Sequence, residues 1–264
     1  MPFDTLWIGT SWKMNKLRAE ARAFATALAA SRLAGSDAAQ LFVIPPFTAV
    51  ADVADLLAGT RVRVGVQNVH WAEAGAWTGE ISAAMAVDCG ATIAEIGHSE
   101  RRTHFGETDE TVALKVAAAL RHGLTPLVCV GDTRAEYERG RTAEALDRQV
   151  RAAVSRVSPE DAGRVVIAYE PVWSIGEGGT PAEPGFADAQ HARVKATLRD
   201  VTGREPRVLY GGSVNPGNCA ALAARPHVDG LFIGRSAWDP EGFLGIVAQV
   251  AASGEGSAAE HRAV

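Results

Sequence analysis

With 264 residues, 47% of them hydrophobic and 22% charged, the chain can bury one large core, and α/β barrels reach this length as single domains. A net charge of −5 leaves no basic surface for nucleic acid, and the lysines are few: Lys13, Lys16, Lys115 and Lys195. No apolar run approaches the roughly 18 residues of a membrane span, and the scattered Cys89, Cys129 and Cys219 form neither a CxxC pair nor a disulfide framework, which fits a reducing cytoplasm.

The start, Met1-Pro2-Phe3-Asp4, has no basic stretch ahead of an apolar run, so no signal peptide is expected. From there, short β-rich runs alternate with alanine-rich stretches whose apolar positions recur at spacings of three and four. The pattern predicts strand 6–10, helix 20–34, strand 41–44, helix 48–57, strand 62–67, helix 82–89, strand 92–96 and helix 109–121. It continues with strand 125–130, helix 134–157, strand 165–169, helix 188–201, strand 208–210, helix 216–224, strand 230–233 and helix 241–250. Residues 253–264 are small and polar, and a flexible tail is expected there after a single catalytic domain over 1–252.

Eight strands, each followed by a helix, require parallel pairing through crossovers. One unit per roughly 33 residues matches a (β/α)8 TIM barrel of about 250 residues. An open doubly wound sheet would want a glycine-rich loop after the first strand, where this chain has Thr10-Ser11-Trp12-Lys13. The longest irregular pieces are 67–80 and 171–185, and loops that follow barrel strands lie on the C-terminal face, where ligands bind.

Polar residues just past the strands are therefore the candidates. Lys13 follows the first strand, either as a surface lysine or as a cation at the barrel mouth. Gly97-His98-Ser99-Glu100-Arg101-Arg102 follows the fourth. Ser99 and Glu100 fit the first turn of a helix whose N-terminal amides, aimed at His98, would keep the imidazole neutral; a packed histidine is the plainer reading. Arg101 and Glu107 read as a structural ion pair. Glu170 ends the sixth strand, as a capped strand end or as a partly buried base. Ser174-Ile175-Gly176-Glu177-Gly178-Gly179-Thr180-Pro181, stiff at its ends and glycine-rich between, suits a hinged lid or a plain flexible loop. Tyr210-Gly211-Gly212-Ser213-Val214 and Ile233-Gly234-Arg235-Ser236 close strands seven and eight, where barrels commonly bind phosphate. There is no HExxH motif and no GxSxG elbow, so metal and serine-hydrolase chemistry find no support; Lys115 and Lys195 fall in helices and Lys16 at a helix entry, which leaves only Lys13 near the mouth for Schiff-base chemistry.

Taken together, Trp12-Lys13-Met14-Asn15, the Gly97 to Arg102 run, the Ala168 to Trp173 run, Tyr210 to Val214 and Asp229-Gly230 resemble the motifs of the triosephosphate isomerase family, in order and spacing, from Trp7 to about Val250. The resemblance implies a cofactor-free isomerase working through an enediol(ate), with Glu170 as base, His98 as neutral electrophile and Lys13 as electrostatic anchor held by Glu100. It implies phosphate binding by Gly176, Ser213, Gly234 and Arg235, with Tyr210 in support. It also implies a homodimer in which the loop 67–80 enters the other subunit and places Thr78 near Lys13 of the partner subunit.

The chain departs from the family at the mouth. Ser11 stands where the family usually has Asn, Arg235 stands where a second Gly is usual, and the lid ends Gly179-Thr180-Pro181 instead of Lys-Thr-Ala. The catalytic trio is intact. Ser11, smaller than Asn, leaves room for one more hydroxymethyl group. The combination resembles the branch that converts L-erythrulose 1-phosphate to D-erythrulose 4-phosphate in erythritol catabolism. The other readings are a glycolytic isomerase of dihydroxyacetone phosphate and D-glyceraldehyde 3-phosphate, and a non-catalytic barrel that only binds a phosphorylated ligand.

Overall fold

A computed structural model describes residues 5–176 and 178–260, the last seven as backbone only. Met1 to Asp4, the lid-tip Glu177 and the final four residues of the expected tail lie outside them. The strands are β1 (Leu6–Ser11), β2 (Ala39–Ile44), β3 (Arg63–Val66), β4 (Ile93–Ile96), β5 (Thr125–Val130), β6 (Val166–Tyr169), β7 (Arg207–Tyr210) and β8 (Gly230–Ile233). All eight pair in parallel in sequence order, and β8 returns to β1 through Trp7 opposite Gly230 and Thr10 opposite Ile233, closing the barrel.

Between them run α1 (Arg18–Ala30), α2 (Val50–Leu57), α3 (Ala83–Asp88), α4 (Ser99–His104), α5 (Asp109–Arg121), α6 (Arg134–Glu138), α7 (Thr142–Val154), α8 (Pro184–Thr202), α9 (Cys219–Ala223) and α10 (Pro240–Glu260). The helix expected over 134–157 is two helices. Gly140 turns left-handed (φ 68°) and the Arg141 amide bonds back to Glu136, which ends α6 and lets α7 start on a new axis. The last helix runs on to Glu260, well past 250, so the backbone of residues 253–260 is helical where a tail is expected. Alanines at 251, 252, 258 and 259 favour that continuation.

Strand alternation sorts the core into two parts. Trp7, Phe42, Ile93, Leu127, Val166 and Phe232 point into the bore, with Phe42 stacked on Phe232 at 5.8 Å. Ile8, Val43, Ile96, Val128, Ile167 and Leu231 point outward against the helices. Each strand is therefore buried on both faces, as parallel barrel strands are, and a polar residue within one faces either the bore or the helix layer. Lys195 in α8 is a case on the helix side: it is 2% exposed and bonds Asp229, just before β8, at 2.8 Å. The second Asp229 oxygen accepts the Val208 amide of β7 at 2.8 Å.

Candidate active site

The polar residues that follow strands β1, β4 and β6 meet at the C-terminal mouth. Lys13 holds a positive φ of 53°, a conformation costly for a residue with a Cβ. It is tied at both ends: Gln67 Nε2 donates to its carbonyl at 2.8 Å, and its ammonium donates to Glu100 Oε1 at 2.7 Å. His98 caps α4 with its ring, Nδ1 accepting the Glu100 amide at 3.1 Å. An accepting Nδ1 carries no proton, so the ring hydrogen sits on Nε2. Nε2 lies 3.3 Å from Glu170 Oε1, while Glu170 Oε2 accepts the Ser99 amide at 3.3 Å. The carboxylate is thus aimed by the histidine and by the N-terminus of α4, and its side chain is only 3% exposed.

The backbone of Glu170 is fixed as tightly. Its amide donates to Val130 at 2.7 Å, and a Cβ added to Gly131 would sit 1.8 Å from its carbonyl oxygen, so only glycine fits beside it. Directly below, the buried Asp132 accepts from Tyr169 Oη at 3.0 Å, Trp173 Nε1 at 3.2 Å and Thr142 Oγ1 at 2.7 Å. Burial beside this carboxylate pushes the Tyr169 phenol far above its ordinary value. Asp132 thereby anchors the first turn of the lid to the barrel, and Tyr137 stacks on Trp173 at 4.2 Å from outside. Farther along the lid, Gly176 and Gly178 take φ of 84° and 77°.

Three cavities follow one another across the mouth. One of about 220 Å³ is lined by Lys13, Gly176, Gly212, Ser213, Gly234 and Arg235. It joins a narrow one of about 50 Å³ lined by Ser11, Lys13, His98, Glu170 and Gly211. Beyond that lies a third of about 170 Å³, which shares Ser11, Lys13 and His98 with the second and adds Gln67, Glu95 and Glu100. The expected phosphate residues thus sit together at one end, and the expected catalytic trio in the middle. Tyr210 is buried under the lid beside Ser174 and Ala182, its phenol pushed up to about 12 by burial. Thr78 stands exposed on the loop 67–80 and lines none of these cavities. Arg101 and Glu107 pair at 2.8 Å, with Lys115 Nζ 3.1 Å from the same carboxylate.

Several site residues escape the sequence reading. Gln67 and Asp132 follow strands β3 and β5, and inspection of every polar strand-end residue would have found them. Glu95 lies inside β4, one alternation above Ile93 and facing the bore. It is 2% exposed, accepts Ser11 Oγ at 2.8 Å, and burial pushes its carboxyl up to about 7.

Residues 6–250 match the sequence profile of the family described as triosephosphate isomerase. The chain belongs to the triosephosphate isomerase family. Among curated relatives, an L-erythrulose-1-phosphate isomerase of Brucella abortus biovar 1 (strain 9-941) is 58% identical over 246 residues, covering 93% of this chain and 96% of that protein. One of Rhizobium rhizogenes is 57% identical, covering 93% and 95%, and one of Mesorhizobium japonicum is 53% identical, covering 94% and 98%. The family match thus spans the barrel from β1 into α10. Among the described residues, no cluster of three His, Cys, Asp or Glu is placed to hold a metal ion, and no helix is long and apolar enough to cross a membrane.

Proposed function

We propose that this enzyme isomerises L-erythrulose 1-phosphate to D-erythrulose 4-phosphate through an enediolate, in the cytoplasm, with one catalytic domain over residues 1–252. The observation that carries the reading is the convergence of Glu170 and His98, 3.3 Å apart, between the cavity lined by Gly176, Ser213, Gly234 and Arg235 and the third cavity beyond. The names of the relatives support the choice of a four-carbon substrate. Backbone groups of Gly176, Ser213, Gly234 and Arg235 hold the phosphate. Glu170 takes the proton from C3, and His98 Nε2–H bonds the C2 carbonyl oxygen as it gains charge. The proton returns to C2, the imidazole moves a proton between the two oxygens, and the ketone is left on C3. Lys13 offsets the developing negative charge, and Glu100 and Gln67 keep it in place. The side chains supply every proton transfer, without metal or organic cofactor.

The same reading makes the protein a homodimer through the loop 67–80, with Thr78 meeting Lys13 of the partner subunit. Exposed Met14, Leu17 and Phe105 beside the mouth, and Trp77 on the loop, are the apolar surface that such contact would cover.

The test is kcat/KM for L-erythrulose 1-phosphate against that for D-glyceraldehyde 3-phosphate, with sedimentation velocity on the same preparation. The reading expects the tetrulose phosphate to be preferred by well over tenfold and the protein to sediment as a dimer. Preference for the triose would overturn the substrate, and the absence of turnover of both would overturn the isomerase.

A further inference from the structure

The third cavity ends on a buried acid that the chemistry described above does not use. β4 reads Ile93-Ala94-Glu95-Ile96, and its alternation sends Glu95 into the bore next to Ile93. An apolar residue there would extend the bore packing at no electrostatic cost. The carboxyl instead gives up its hydration for a single hydrogen bond, from Ser11 Oγ to Oε2. Among the described residues Oε1 receives none, and Glu95 lines the third cavity together with Ser11, Gln67 and His98. Burial, and less strongly the nearby Glu170 carboxylate, raise the acid to about 7, so near neutral pH it is partly protonated and repels Glu170 less than a full carboxylate would.

The order of the cavities gives this acid a target. With the phosphate in the first and the reacting carbons between Glu170 and His98, whatever extends beyond the reacting carbons enters the third. In a four-carbon ketose phosphate that extension is one hydroxymethyl group. Resting on the substrate proposed above, we infer that Glu95, oriented by Ser11, is a specificity-determining residue that accepts a hydrogen bond from the terminal hydroxyl of the substrate. Ser11 then acts as a positioning residue: its hydroxyl fixes one carboxyl oxygen and turns the other toward the ligand.

The experiment compares L-erythrulose 1-phosphate with its 4-deoxy analogue, which keeps the reacting carbons and the phosphate but ends in a methyl group. Native enzyme, Glu95→Gln and Glu95→Leu are assayed on both, with circular dichroism to establish folding. The native enzyme is expected to prefer the hydroxylated substrate at least about 100-fold in kcat/KM, since a site built to bond a hydroxyl rejects its deoxy analogue strongly. In Glu95→Leu that preference falls below about fivefold, whatever the absolute rates become. Glu95→Gln, which keeps a hydrogen-bonding group, retains an intermediate preference.

A native enzyme that handles the two substrates equally overturns the inference without any variant. A Glu95→Leu enzyme that slows equally on both, keeping the native ratio, also overturns it and makes Glu95 a structural residue. A native enzyme inactive on L-erythrulose 1-phosphate removes the substrate reading as well, and that outcome is distinct from either of the others.

Discussion

Replacing Gly131 by alanine tests whether the position of the Glu170 backbone governs turnover. A Cβ at residue 131 would lie 1.8 Å from the Glu170 carbonyl oxygen and 2.8 Å from its carbonyl carbon, against a practical floor of 3.0 Å, so the two segments must part by about 1.2 Å. Both sides of the clash are backbone, and no rotamer relieves it. The displacement acts on the residue whose carboxylate is set 3.3 Å from His98 Nε2 and 3.3 Å from the Ser99 amide. A misplacement of about 1 Å in a reacting group costs roughly 100-fold. Gly131→Ala is therefore expected to lower kcat for L-erythrulose 1-phosphate by at least about 100-fold. KM is expected to rise as well, because Gly211, which opens the loop after β7, lies against Glu170 and its amide bonds the Tyr169 carbonyl at 2.8 Å. Overpacking should also cost about 1–3 kcal/mol of stability, seen as a lower Tm. Gly163→Ala, where an added Cβ meets nothing within 4 Å, is the control and should behave as the parent. A folded Gly131→Ala enzyme with kcat within threefold of the parent would refute the reasoning.

Glu170→Gln keeps the shape of the base and removes its basicity; kcat should fall by at least about 100- to 10,000-fold, and steady-state assays that find a smaller loss would remove Glu170 as the base. Lys195→Met leaves Asp229 buried without its 2.8 Å partner, and urea unfolding at neutral pH should show a loss of about 3–5 kcal/mol; a loss below about 1 kcal/mol would contradict a buried pair. Glu95 has its carboxyl raised from 4.5 to about 7 in the folded state. Between those values the native state holds the proton more often than the unfolded chain, so stability falls as pH rises, and the full penalty, about 3 kcal/mol, applies above 7. Glu95→Gln should therefore gain on the parent between pH 5 and pH 8 in denaturant titrations, and parallel curves for the two proteins would count against a buried, titrating acid.

The barrel was legible because each strand is a short apolar run and each helix an alanine-rich amphipathic one, so the order of elements alone demanded parallel crossovers. Lys13, His98 and Glu170 were legible for a related reason: polar residues immediately past apolar strands must project from the barrel mouth. Glu95 was hidden by the same two-sided burial that made β4 recognisable. In a four-residue strand covered on both faces, the sequence does not say which alternate positions see the bore, and an acid there reads as a strand-edge charge. The break at Gly140 was hidden because a single glycine in an arginine- and alanine-rich run is compatible with an unbroken helix. Only the left-handed φ and the Arg141 to Glu136 bond distinguish the two.

The β7–β8 seam has a consequence for how binding and stability communicate. The ladder there is a single residue pair, Tyr210 opposite Leu231, where β6–β7 and β8–β1 each have four. What closes the gap is Asp229, whose amide donates to Val208 and whose carboxylate takes the Val208 amide in return. The thinnest joint in the wall is thus a side-chain splice, directly beneath the two loops assigned to the phosphate. Amide hydrogens of Val208 and Asp229 should exchange through local opening of this joint, ahead of global unfolding. A phosphate held across both loops bridges the joint from above, so ligand should slow exchange at these two positions more than elsewhere in the barrel.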